Sequence, residues 1–82
     1  MDLYDILYEN LSLWILQDQK IYNHVKDMLI ENGNNLKTEK MLTEYLQNID
    51  DICKEIGSLG IEHVVNKKFM EGLMEAMEIE IN

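Results

Sequence analysis

Eighty-two residues make one domain, and area scaling buries only roughly 64% of the unfolded surface, too little for a deep substrate pocket with a rigid supporting shell. A hydrophobic content of 46% with 28% charged residues describes a folded globule and excludes a disordered tail. Sixteen acids face seven lysines and no arginine, and a net charge of −9 repels phosphate backbones, so direct nucleic-acid binding is not expected.

The single cysteine forms no internal disulfide, and the N-terminus carries Asp2, Asp5 and Glu9 where a secretory leader would be basic. No apolar run approaches about 18 residues. The expectation is a soluble cytoplasmic protein, in the host cell cytoplasm if a phage encodes it.

Apolar residues recur at spacings of three and four along the whole chain, and no proline interrupts them. The first predicted helix runs from about 2 to 32. Its inward stripe is Leu7, Leu11, Trp14, Ile21, Val25 and Met28, with Tyr4, Tyr22 and Leu29 alongside. Asp18 interrupts that stripe and marks a place for a kink. Asn32-Gly33-Asn34-Asn35 ends the segment, because Gly and Asn tolerate the left-handed cap at low cost.

The second predicted helix spans about 36 to 56, with Leu42, Tyr45, Leu46, Ile49, Ile52, Cys53 and Ile56 on one face and Asn35 or Thr38 as N-cap. Gly57-Ser58-Leu59-Gly60 breaks it. The third spans about 61 to 79 and turns Val65, Phe69, Leu73 and Ala76 inward. The predicted fold is therefore all-α: a small three-helix bundle in a single domain over 1–82, or a helical homodimer. Glu78-Ile79-Glu80-Ile81-Asn82 alternates with period two and reads as a fraying helix end or a short extended tail.

Three groups of residues stand out. In Leu11-Ser12-Leu13-Trp14-Ile15-Leu16 five apolar side chains point nearly all round a helix. Leu11, Trp14 and Ile15 face inward. Leu13 and Leu16, with Ile6 at the border, fall among the acids of the outward face. Another helix of the chain buries them, or a second copy, or a different protein. The second group is Met70, Met74 and Met77, at a spacing suited either to a groove for a partner or to the margin of a core.

The third group is carboxylates: Glu71, Glu75 and Glu78 on the third helix and Asp50, Asp51 and Glu55 late in the second. Acids late in a helix oppose its dipole, and neighbours at i, i+4 repel. The rows are either an ordinary solvated face or an imitation of phosphates.

Catalytic chemistry has no foothold. His24, Cys53 and His63 fall on three different predicted helices, and no Glu-x-x-His, His-Glu-x-x-His or Cys-x-x-Cys spacing occurs. Gly72 suits close helix packing and belongs to no phosphate loop. Neither enzyme activity nor a cofactor or metal is expected.

The chain's usage, rich in Ile, Asn, Lys and Glu without Arg or Pro, resembles AT-rich coding sequence. In size and acidity it is similar to phage-encoded inhibitors of bacterial defence and DNA-handling enzymes. The leading expectation is a non-enzymatic interaction protein from a phage or mobile element that binds a basic-surfaced protein stoichiometrically. A DNA-mimicking inhibitor is its most specific form, and a structural or regulatory homodimer is the alternative.

Overall fold

A computed structural model describes residues 2–79. Among the described residues the chain is all-helical, in six helices where periodicity predicted three. These are α1 (Leu3–Gln17), α2 (Gln19–Asn32), α3 (Leu36–Gln47), α4 (Asp50–Ile56), α5 (Ser58–Val64) and α6 (Lys67–Ala76). Each predicted helix is divided once, and each division has a local cause.

At the first, Asp18 leaves helical geometry (φ −92°, ψ 114°), and its carboxylate accepts from the backbone N–H groups of Lys20 and Ile21 at 3.0 and 3.1 Å. A residue that caps new N–H groups competes with helix continuation, so the interruption in the stripe is a true break. The second division falls at Asn48-Ile49. The Asn48 side-chain amide donates to the Glu44 carbonyl at 2.8 Å, and Ile49 is extended. The Cys53 thiol then bonds the Gln47 carbonyl at 2.9 Å across the corner. The third division is Val65-Asn66, where Asn66 accepts from the Phe69 N–H at 2.9 Å and caps α6. Its amide also donates to the Tyr4 hydroxyl at 3.1 Å, fastening this corner to α1.

Two glycines end helices in conformations a Cβ resists: Gly33 at φ +74° after α2 and Gly57 at φ +85° after α4. Beyond α6, Glu78 takes φ +57°. Its N–H bonds Glu75 O at 3.1 Å and that of Ile79 bonds Met74 O at 2.9 Å, a Schellman cap with glutamate at the position glycine favours. The expected alternation over 78–82 is a helix cap at its first two residues. Glu80, Ile81 and Asn82 lie outside the described residues.

One core gathers side chains from all six helices, including Leu11 and Ile15 of α1, Val25 and Leu29 of α2, and Leu42 and Leu46 of α3. Ile52, Ile61 and Val64 join from α4 and α5, and Phe69, Met70 and Leu73 from α6. The expected inward stripes hold with one exception: Ala76 is exposed, because the buried face of α6 runs through Met70, Leu73, Met74 and Met77. Helix α1 packs on α2, α4 and α5, whereas α2 and α3 carry α6. The Tyr8 ring stands edge-on to Phe69 (5.2 Å, 87°), and a Cβ on Gly72 would lie 2.5 Å from the Tyr8 hydroxyl. Gly72 thus serves close packing, which brings Tyr8 of α1 down onto α6.

Candidate partner-binding site

The outward face of α1 remains open. Leu13 is 44% exposed and Ile6 41%. Leu16, expected in the same group, is half-buried and packs against the core. The island is therefore Ile6 and Leu13, and the acids Asp2, Asp5 and Glu9 on the same helix are all exposed.

Trp14 sits between the two faces. Its ring is half-buried against the core, and its Nε1–H donates to a carboxylate oxygen of Glu55. That bond joins α1 to α4 and fixes the indole beside Leu13. A shallow groove of about 390 Å³ runs here, lined by Asn10, Leu13, Trp14, Gln17, Asp18 and Glu55. Leu13, Trp14 and Glu55 stand out in the sequence, but nothing in it pairs Trp14 with Glu55. Asn10 and Gln17 read alone as ordinary polar surface.

The methionine row corrects in the other direction. Met70 is fully buried, Met74 is 4% exposed and Met77 2%. They fill the core and present no surface to a partner.

The carboxylate rows are also rearranged. Asp50 and Asp51 occupy the first turn of α4, where the helix dipole favours anions. The unfavourable placement expected for them disappears with the break at Asn48-Ile49. Glu71 and Glu75 remain exposed on α6, while Glu78 lies beyond its end. Helices α4 and α6 share no substantial interface, so the acids form two separate groups and not one continuous row.

Both histidines pack against tyrosine rings. His24 stacks on Tyr45 (4.1 Å, 23°) between α2 and α3, and His63 meets the Tyr4 ring edge-on at 5.5 Å. Burial raises the pKa of the Tyr8 hydroxyl, with Tyr4 and Glu75 adding to it. Burial and Asp18 do the same for Tyr45. Both phenols are thus protonated at neutral pH and are not poised as bases. Among the described residues no three His, Cys, Asp or Glu side chains cluster to hold a metal ion. No helix among them is long and apolar enough to cross a membrane.

Comparison with protein-family models, with curated proteins and with solved structures finds no match.

Proposed function

We propose that this protein acts by stoichiometric binding to a protein partner with a basic surface, using the outer face of α1. The observation that carries this reading is the exposure of Ile6 and Leu13 beside the groove of Trp14 and Glu55. An apolar anchor within a charged rim is the usual energetic pattern of an interface, the anchor supplying affinity and the rim supplying steering. In its most specific form the partner is a nucleic-acid-handling enzyme met by a phage or mobile-element product, which the protein inhibits by covering a cationic surface. The α1 face supports this form better than the carboxylate rows, since Asp50 and Asp51 have a local structural reason for their positions.

A homodimer closing over the same island is the competing reading. Self-pairing brings together two copies of charge −9, which favours a partner of opposite sign. Light scattering across a dilution series separates the two: a monomer at all concentrations is expected, and a dimer that persists on dilution transfers the island to self-association. The basic-partner reading is tested by affinity capture followed by salt titration of the purified complex. Binding that weakens as salt rises is expected, and binding indifferent to salt discards it.

A further inference from the structure

The outward face of α1 carries a pattern distinct from its core stripe. Leu3, Ile6, Asn10, Leu13 and Gln17 follow spacings of three, four, three and four, which places them at successive a and d positions of two heptads. All five lie outside the core: Leu3 is 68% exposed, Ile6 41% and Leu13 44%, Gln17 is exposed, and Asn10 is half-buried in the groove wall. The residues that hold α1 in the fold, Leu11 and Ile15, fall at b and f positions. A 15-residue helix thus has one stripe for its own core and a second, complete seam facing outward.

We infer that this seam binds a single amphipathic helix of a partner protein, one with apolar residues on its facing edge and lysine or arginine along its flanks. A helix suits the shape, because the apolar members Leu3, Ile6 and Leu13 extend over about 15 Å of one helix face at a spacing suited to knobs-into-holes packing. Charge selects the chemistry. Helix α1 contains no lysine or arginine, Glu9 falls at a flanking g position, Asp2 caps the N-terminal end, and Asp18 and Glu55 close the far end of the groove. A second copy would set acids opposite acids, whereas a basic helix would satisfy them. Asn10 at a central a position places a polar layer in the seam, of the kind that fixes register at some expense of affinity. The inference rests on the proposed binding of a basic partner and names the structural element that partner supplies.

The probe is a synthetic helix of about three heptads with leucine at a and d, asparagine at the central a, and lysine at e and g. A peptide of the same composition with the leucine spacing scrambled is its control. Trp14, the only tryptophan and an e-position neighbour of Leu13, reports binding by its fluorescence. The patterned peptide is expected to bind at least about tenfold more tightly than the scrambled one, and Leu13→Glu to remove most of that difference. Ile6→Glu provides a second variant on the same seam, and circular dichroism checks that each stays helical.

Equal affinity for the two peptides overturns the seam while leaving the basic-partner reading in place. No binding of either peptide at low salt overturns both. A concentration-dependent dimer abolished by Leu13→Glu in sedimentation overturns the heterologous occupant, because the seam then belongs to a second copy.

Discussion

Two apolar rows in this molecule, on α1 and on α6, look alike as sequence and end in opposite places. Met70, Met74 and Met77 sit inside the core, whereas Leu3, Ile6 and Leu13 stay outside it. The difference arises at the helix ends. Asn66 starts α6 as a separate helix that packs on α2 and α3 with its methionines in the core, and beyond the Schellman cap Ile79 packs against the same core. Helix α1 packs on α2, α4 and α5, and through Tyr8 on α6, and among the described residues Leu3, Ile6 and Leu13 stay uncovered. Apolar character alone therefore does not mark a surface for a partner. What matters is whether the chain has another element free to cover it.

Four substitutions sharpen that contrast. Met70→Ala is expected to have the largest effect, about 2–5 kcal/mol of lost stability, because it empties a fully buried site. Chemical denaturation should show it as a lower midpoint with an unchanged slope. Leu16→Glu comes next, at about 1–3 kcal/mol, since a half-buried side chain packed on the core would be replaced by a charge. Glu78→Gly should stabilise by about 0.5–1 kcal/mol by relieving the φ of +57° at the α6 cap, a gain visible as a higher thermal midpoint. Leu13→Glu should change stability least, within about 0.5 kcal/mol, despite lying three residues from Leu16. A loss at Leu13 as large as that at Leu16 would show that the outer face is core and would end the contrast between the two rows.

Much of the fold was readable before the structure. Leu11, Ile15, Leu42, Leu46 and Phe69 fall on inward stripes, and all are fully buried. Gly33 ends a helix where expected and Asp18 interrupts the first one, whereas the break expected over residues 57–60 is Gly57 alone, with Ser58, Leu59 and Gly60 already in α5. The breaks at Asn48-Ile49 and Val65-Asn66 were missed for one reason. Ile49, Ile52 and Ile56, and likewise Val65 and Phe69, keep the three- and four-residue rhythm across the break, so periodicity alone cannot see it. Asn48 followed by Asp50-Asp51, and Asn66 three residues before Phe69, carry the cap chemistry that marks both sites.

Of the candidate site, Leu13 and Ile6 were legible as apolar residues among acids. Their separation from Leu16 was not, because all three lie toward the same side of an ideal helix and only packing against the core distinguishes them. The outer seam was likewise present in the spacing of residues 3, 6, 10, 13 and 17, but it overlaps a helix that is apolar nearly all round.

By itself, then, the sequence determined the helical class, most of the core and the acidic surface, because spacing, hydrophobicity and charge are local properties of the chain. Only the tertiary structure decided which apolar face of α1 is covered and that the methionines of α6 are. It also paired Trp14 with Glu55 and gave Asp50 and Asp51 a helix N-terminus to stabilise. Those outcomes depend on the angles at which caps release each helix, and such angles are fixed only when all six helices compete for the same core.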